Sequence, residues 1–128
     1  MRTVKRLWRV YEQEGHDAAV DAMLDVCHDD AEFRLYAAEG RVLHTGDLRA
    51  FYRERRAAGK SVEAAPYNVR EEGDTVVATG WVRVSRETGS LADAQVRWIY
   101  TFRDGLIEKL EYGPLVPSAT ADSAARAS

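Results

Sequence analysis

The first sixty residues contain three segments with the spacing of amphipathic helices. In each segment, apolar residues recur three and four positions apart, which places them along one stripe of a helix. The first segment begins at Thr3 and ends at about Glu14, the second begins at Asp17, and the third extends from Asp47 to about Ala58. Thr and Asp favour helix N-termini. The stripes are Val4, Leu7, Trp8 and Tyr11; Val20, Met23, Leu24 and Cys27; and Leu48, Phe51, Tyr52 and Arg55.

From Val62 onward the apolar period changes to two, which is typical of strands. We predict four strands, over residues 62–71, 75–86, 94–103 and 106–112. Tight-turn sequences at Gly73 and at Asp104-Gly105 join two pairs of them, so consecutive strands are expected to be antiparallel. A shorter hairpin, formed by residues 31–37 and 42–45, precedes the third helix. The pattern predicts an α+β fold with a bent antiparallel sheet against three helices.

The two faces of this sheet differ in what they can cover. On the third long strand, large apolar residues alternate with polar ones and face the helices; they are Val96, Trp98, Tyr100 and Phe102. The opposite face carries three apolar residues on adjacent strands, namely Val77, Trp81 and Ile99. A group of exposed apolar residues indicates a second covered surface. We therefore expect a homodimer that forms through this face.

Composition limits the class of protein. The chain has 128 residues, of which 45% are hydrophobic, and this predicts one domain over residues 1–116 followed by a flexible tail at 117–128. A net charge of −3 argues against nucleic-acid binding. We find no membrane span and no apolar segment of a secretory signal. The lone Cys27 allows no intrachain disulfide, so a cytoplasmic protein with an unreactive, buried thiol is expected.

Short motifs, weak individually, occur in an order and spacing that resemble a known family. The resemblance extends over about residues 4 to 113. The motifs are Trp8-x-x-Tyr11 before Gly15-His16-Asp17, Asp29-Asp30-Ala31-Glu32-Phe33, Gly46-Asp47-Leu48-Arg49-Ala50-Phe51-Tyr52, Gly73-Asp74-Thr75-Val76-Val77 and Phe102-Arg103-Asp104-Gly105-Leu106-Ile107. The pattern resembles the SnoaL-like branch of the nuclear-transport-factor-two-like superfamily. The resemblance implies a cone, in which a curved sheet encloses the helices and an apolar pocket opens at the wide end.

That superfamily includes polyketide cyclases, ketosteroid isomerase, scytalone dehydratase and limonene epoxide hydrolase, as well as binding and association domains. Most of the enzymes carry out acid–base chemistry on hydrophobic small molecules without a bound cofactor, so the resemblance implies no cofactor here. Ketosteroid isomerase uses a carboxylate base and a protonated acid. Counting along the motifs, these two positions fall on Leu35 and Trp98. Neither residue can exchange a proton as a carboxyl group does, which disfavours the isomerase mechanism.

The remaining polar residues near the implied pocket define the candidate site. The catalytic candidates are Tyr11, His44, Glu108 and Tyr112. Candidates for the apolar wall of a ligand pocket are Trp8, Phe33, Leu35, Phe51, Trp98 and Tyr100. His28, Asp29 and Asp30 are of metal-ligating types, but three consecutive residues do not converge readily on one ion, and no metal site is expected.

Two functions remain open at this point. One is a cofactor-independent isomerase, cyclase, dehydratase or hydrolase that acts on a hydrophobic small molecule. The alternative is a non-catalytic module of the same fold that binds a small molecule or mediates dimeric association. The missing carboxylates at Leu35 and Trp98 favour the second, and the family resemblance favours the first.

Overall fold

A six-stranded curved sheet covers three helices with one of its faces. The computed structural model describes residues 1–35, 38, 40–86 and 91–115, so the predicted tail at 117–128 lies outside the described residues. The elements are α1 (Arg2–Glu14), α2 (His16–Leu24), β1 (Cys27–Leu35), β2 (Leu43–His44), α3 (Leu48–Ala57), β3 (Lys60–Glu72), β4 (Thr75–Arg86), β5 (Leu91–Arg103) and β6 (Leu106–Pro114). The predicted α+β class and its elements are confirmed.

The strand order is β2-β1-β6-β5-β4-β3, with the short hairpin continuing the sheet beyond β6. Strands β3 to β6 form the predicted antiparallel meander. The expectation of antiparallel pairing fails only between β1 and β6, which pair in parallel, with Phe33 opposite Leu110. Helix α3 and three long strands separate β1 from β6 along the chain, a connection long enough for parallel pairing.

The segment around Cys27 differs from the prediction. We expected Cys27 on the stripe of the second helix, but α2 ends at Leu24 and Cys27 begins β1. The cause is a backbone hydrogen bond from the Ile107 amide to the Val26 carbonyl, 2.9 Å long, which joins the chain to β6. Cys27 is buried, and this burial raises the pKa of its thiol to about 12. The thiol is therefore protonated at neutral pH, as expected for a packing residue.

The helix starts also differ slightly from the expected caps. Helices α1 and α2 begin one residue before Thr3 and Asp17, respectively. Asp47 is the N-cap residue of α3, but its carboxylate accepts a hydrogen bond from the backbone amide of His44 (2.9 Å) across a single 3₁₀ turn. That turn fixes the angle at which α3 leaves the hairpin.

The concave face of the sheet, which faces the helices, carries the core. Its side chains form cross-strand rows, as the period of two requires. The first row comprises Leu35, Tyr112, Trp98, Ala78 and Val69. The second comprises Phe33, Leu110, Tyr100, Val76 and Glu71. Both the predicted inward face of β5 and that of β4 are confirmed by the burial of Val96, Trp98, Tyr100, Val76 and Ala78.

Gly80 allows two strands to approach closely at the point where β3 bulges. The register of β3 on β4 shifts between Pro66 and Asn68, and Pro66 lies opposite Gly80. A Cβ atom on Gly80 would lie 2.6 Å from the Cα of Pro66 and closer still to the carbonyl oxygen of Ala65. Since backbone atoms cannot move aside as a flexible side chain can, residue 80 must be glycine for this bend.

Replacement of this glycine is expected to destabilise the sheet. Gly80→Ala should lower the free energy of unfolding by about 2 kcal/mol or more, because the added methyl group overlaps the β3 backbone. Gly113→Ala is the matched control, since a Cβ there meets no atom within 4 Å. Urea unfolding measures both. Equal stability of the two variants would show that β3 does not press against Gly80.

Candidate ligand site

The candidate site is built on the first of the two cross-strand rows described above, which contains Leu35, Tyr112 and Trp98. Tyr112 on β6 lies between Leu35 on β1 and Trp98 on β5, in register with both. The Tyr112 and Trp98 rings stack, with centroids 5.6 Å apart. The positions that the family resemblance assigns to the two carboxyl groups, Leu35 and Trp98, thus flank one tyrosine on the inner face.

Aromatic rings continue from this row onto the helices. Trp8 of α1 meets Trp98 edge to face, with centroids 4.6 Å apart, and stacks on Tyr11 at 5.7 Å. Tyr11 contacts the ring of His16 at 6.3 Å, and His16 contacts Tyr52 of α3 at 4.5 Å. We call this set the aromatic row; its members are Tyr112, Trp98, Trp8, Tyr11, His16 and Tyr52. Such ring pairs are favourable beyond the apolar area that they bury.

The phenols on the concave side are held in their protonated form. Burial raises the pKa of Tyr11, Tyr52, Tyr100 and Tyr112, and for Tyr52 it reaches about 12. Tyr52 as a whole residue is partly exposed, although its hydroxyl group is closely surrounded by protein. For Tyr11, a hydrogen bond with the Ala64 backbone partly opposes the effect of burial. Each phenol therefore keeps its proton at neutral pH and can donate a hydrogen bond.

The indole nitrogen of Trp8 is a buried polar atom without a well-formed hydrogen bond. Nε1 of Trp8 is buried and makes no hydrogen bond of normal geometry. The phenol of Tyr100 is still close enough for the indole to oppose, in part, the burial-driven rise of the Tyr100 pKa. We regard this contact as a weak, misaligned interaction, because a well-formed bond would meet the usual distance and angle limits.

His16 is a site residue that the sequence alone did not indicate. It begins α2 directly after the turn at Gly15, which made it look like a turn residue. In the structure its ring lies between Tyr11 and Tyr52. Burial lowers the pKa of His16, and the nearby Asp17 carboxylate opposes this only in part, since Asp17 is itself paired with Arg56. The imidazole is therefore neutral at pH 7. No helical spacing connects it to Tyr11, because α1 ends at Glu14 and α2 begins at His16.

A pocket of about 220 Å³, which we call the edge pocket, opens beside Tyr112 where β1 and β6 end. Its lining residues are Arg34, Leu35, Gly40, Arg41, Val42, Tyr112 and Gly113. This volume is below the roughly 300–1,000 Å³ of typical small-molecule sites.

Two of the catalytic candidates lie away from the aromatic row. His44 is in β2 with its side chain exposed, and its Nδ1 is 3.9 Å from a carboxylate oxygen of Asp47. Glu108 was expected on the inner face with Leu110 and Tyr112, and that placement is wrong. A bulge between Thr101 and Phe102 shifts the register of β6, so that Ile107 takes the buried position. Glu108 instead accepts a hydrogen bond from Arg103 Nε (3.0 Å), where both side chains are exposed.

The other two catalytic candidates, Tyr11 and Tyr112, belong to the aromatic row. The six wall candidates all belong to the core or pack against it; they are Trp8, Phe33, Leu35, Phe51, Trp98 and Tyr100. Leu35 is the one among them that also lines the pocket at the edge. The role of all ten residues in binding or catalysis remains a prediction.

Charged groups are kept out of this interior. Across the described ranges, no acidic or basic side chain is buried. The sequence His28-Asp29-Asp30 lies in β1 rather than at a helix end, and His28 Nε2 donates to the Arg103 carbonyl (2.6 Å). Within the part of the chain that the structure describes, no three His, Cys, Asp or Glu side chains converge as metal ligands would. None of the described helices is long and apolar enough to cross a membrane.

The raised phenol pKa values predict a loss of stability at high pH. Between about pH 10 and 12, the Tyr52 phenol ionises in the unfolded chain but keeps its proton in the folded one. The folded state is therefore destabilised relative to the unfolded state as the pH rises through this window. Urea unfolding at pH 9, 10.5 and 11.5 should show a smaller loss for Tyr52→Phe than for wild type. The exposed Tyr67→Phe is the control, and an unchanged loss in Tyr52→Phe would contradict the burial of this phenol.

Comparison with known proteins agrees with this geometry. An NTF2-like protein of unknown function from Burkholderia pseudomallei is 19% identical, with 90% of this chain and 89% of that one aligned at a TM-score of 0.74. TerC, co-crystallised with polyporic acid, is 21% identical, with 89% of each chain aligned at a TM-score of 0.72. A protein with a ketosteroid isomerase-like fold from Catenulispora acidiphila, in complex with trimethylamine, is 11% identical, with 87% and 83% aligned at 0.68.

At these identities the structural matches establish the fold and no activity. Among curated proteins, no significant match is found. The sequence profile of the SnoaL-like domain matches residues 4–110, which covers α1 through most of β6 and every member of the aromatic row except Tyr112. By this match and by its fold, the chain belongs to the SnoaL-like domain family.

Proposed function

We propose that this domain binds a hydrophobic small molecule with a hydrogen-bond-accepting oxygen at the concave face of its sheet. The observation that carries the proposal is Tyr112, which lines the edge pocket, stacks on Trp98 and keeps a protonated phenol. An apolar surface with a few well-placed donors is the usual composition of a small-molecule site. Here Leu35 and the Trp98 ring supply the apolar surface, and Tyr112 supplies the donor.

The chemistry of the interior favours oxygen acceptors such as carbonyl groups. Tyr52 and Tyr112 are half-buried and neutral, so each has an O–H to donate. No buried acidic side chain is found in the described ranges to compete for these protons. A ketone or quinone oxygen accepts such bonds at little desolvation cost, whereas a ligand without an acceptor gains only apolar contact.

An acid–base enzyme is the second candidate, and His16 favours it. Its neutral imidazole lies against Tyr11 and Tyr52 and can accept a proton. A neutral tyrosine can stabilise the oxygen of an enolate, as in the family's known isomerase. The carboxylates used by those enzymes have no counterpart at Leu35 and Trp98, which is why binding is the leading proposal. TerC with polyporic acid and the Catenulispora acidiphila protein with trimethylamine support ligand binding within this fold.

Binding is tested with a neutral aromatic ketone, 2-acetylnaphthalene. We expect it to bind the wild-type protein and to raise its melting temperature, because it binds only the folded state. Tyr112→Phe removes one donated hydrogen bond, worth about 1 kcal/mol, and should weaken binding about fivefold by isothermal titration calorimetry.

Tyr67→Phe is the matched control, since this phenol is 60% exposed on the other face of the sheet. It should bind as wild type does. If 2-acetylnaphthalene does not bind, or if Tyr112→Phe and wild type bind it equally, the proposed site is incorrect.

We also propose that the convex face of the sheet, which points away from the helices, pairs with a second copy of this chain. Trp81 on β4 is 43% exposed, and Tyr67 at the β3 bulge donates to the side-chain oxygen of Gln95 (3.3 Å) beside it. Ile99 is partly exposed, whereas Val77, expected to be exposed, is only 5% accessible because Arg70 and Ile99 flank it. Trp81 and Tyr67 thus carry most of the exposed apolar surface on this face.

Charges on the convex face suit self-association. Acidic and basic residues alternate across the strands, with Arg83 between Glu63 and Asp93, Glu111 beside Arg34, and Lys109 beside Glu32. A face with interspersed charges of both signs meets no net repulsion from a copy of itself. Together with the reducing environment that the single buried thiol suits, this supports a cytoplasmic homodimer.

The dimer is tested by light scattering coupled to size-exclusion chromatography at tens of micromolar. We expect the wild type to elute with twice the chain mass and Trp81→Glu to elute as a monomer, because a charge would be buried in the interface. Leu106→Glu, at the β5–β6 turn, introduces the same charge at another exposed apolar residue and should remain dimeric. A monomeric wild type would refute this proposal.

A further inference from the structure

Two arginines flank the same aromatic ring beside the edge pocket. The guanidinium carbon of Arg41 is 5.8 Å from the centroid of the Phe51 ring, and that of Arg55 is 5.7 Å from it. Arg41 precedes β2 and lines the pocket, whereas Arg55 is in the last turn of α3. Stacking on an aromatic ring orients a guanidinium while leaving its N–H groups available for an anion.

Among the described residues, Arg41 and Arg55 differ from neighbouring arginines in their ion pairing. Within the described ranges, neither Arg41 nor Arg55 forms an ion pair. Other arginines of α3 differ in this respect. Arg49 is paired with Asp21 at 2.7 Å, and Arg56 is paired with Asp17. Helix α2 thus neutralises part of the positive charge on α3 and leaves Arg55 near the pocket uncompensated.

The charge of Arg55 acts on two tyrosines of the candidate site. The positive charge of Arg55 opposes the burial-driven rise in pKa of both Tyr52 and Tyr112. Tyr112 and Arg41 line the same pocket. A third arginine of the lining, Arg34, is paired with Glu32 at 3.3 Å and contributes less. Positive potential is therefore concentrated where a ligand would contact Tyr112.

We propose that the pocket selects an organic anion, a planar apolar body with one ionised oxygen group such as a carboxylate. The apolar body would lie against Leu35 and Tyr112, and the anionic oxygens would accept hydrogen bonds from Arg41 and Arg55. Guanidinium groups suit this task because their N–H groups match two carboxylate oxygens at once. This inference rests on the proposed function and adds the charge of the ligand to it.

The test compares two ligands that share a ring system and differ in charge. By isothermal titration calorimetry in low salt, 2-naphthoate should bind wild type about tenfold more tightly than the neutral 2-acetylnaphthalene. The double variant Arg41→Gln/Arg55→Gln should bind the two ligands with affinities within about twofold of each other. Arg53→Gln is the matched control on α3, since Arg53 is exposed and, unlike Arg41 and Arg55, is not one of the arginines over the Phe51 ring; it should keep the preference of the wild type.

A second measurement on the wild type needs no substitution. Raising the KCl concentration from 20 to 300 mM should weaken 2-naphthoate binding severalfold and leave 2-acetylnaphthalene binding unchanged, because salt screens charge. Equal affinity of the two ligands for the wild type would overturn the anion preference while leaving the proposed function intact. Preference retained in the double variant would also overturn it. Absence of binding by both ligands would contradict the proposed function, and this inference with it.

Discussion

The edge-to-face contact between Trp8 and Trp98 joins α1 to the centre of the sheet, and the geometry of the candidate site depends on it. With ring centroids 4.6 Å apart, it fixes where α1 crosses the concave face. Tyr11, one turn later on the same helix, is thereby held within reach of His16 and of the Ala64 backbone. On the other side, Trp98 supports Tyr112 by stacking. Loss of this contact would separate the helical half of the aromatic row from the sheet.

Much of this arrangement follows from the alternation of inward-facing and outward-facing residues along the strands. The period of two on β4 and β5 predicts the inward face correctly, including Trp98 and Tyr100. The Asp104-Gly105 turn predicts the β5–β6 hairpin, which the structure contains. Where the alternation is interrupted, the prediction fails. The bulge at Thr101 and Phe102 reverses the direction of Glu108, and no single residue in the sequence signals the extra position.

Non-local contacts account for the other differences. Cys27 fits the stripe of α2 by spacing, but the backbone of β6 recruits its segment into the sheet, and local periodicity contains no information on that pairing. His16 looks like a turn residue because the residues before and after it are Gly15 and Asp17. Its contact with Tyr52 depends on how α2 and α3 pack, which only the tertiary structure shows.

The interior of this cone differs in chemistry from that of a carboxylate-dependent enzyme. Its polar groups are phenols, the indoles of Trp8 and Trp98 and the neutral imidazole of His16, and burial favours the uncharged forms of the phenols and the imidazole. The phenols donate hydrogen bonds to oxygen acceptors but are not bases, so His16 is the member of the aromatic row that can accept a proton. Leu35 and Trp98 stand at the positions that the family resemblance assigns to the two carboxyl groups, which is why binding is the proposed function. The proposed ligand is an anion because Arg41 and Arg55 both lie over the Phe51 ring.

The three tryptophans allow a direct test of whether a ligand occupies the concave side of the sheet beside Tyr112. Their indole N–H signals, resolved in a ¹⁵N-labelled sample and assigned by single Trp→Phe variants, report on two faces at once. Titration with 2-naphthoate should shift the signals of Trp98 and Trp8 and leave that of Trp81, on the convex face, in place. A shift confined to Trp81, or no shift at saturating ligand, would contradict ligand binding beside Tyr112.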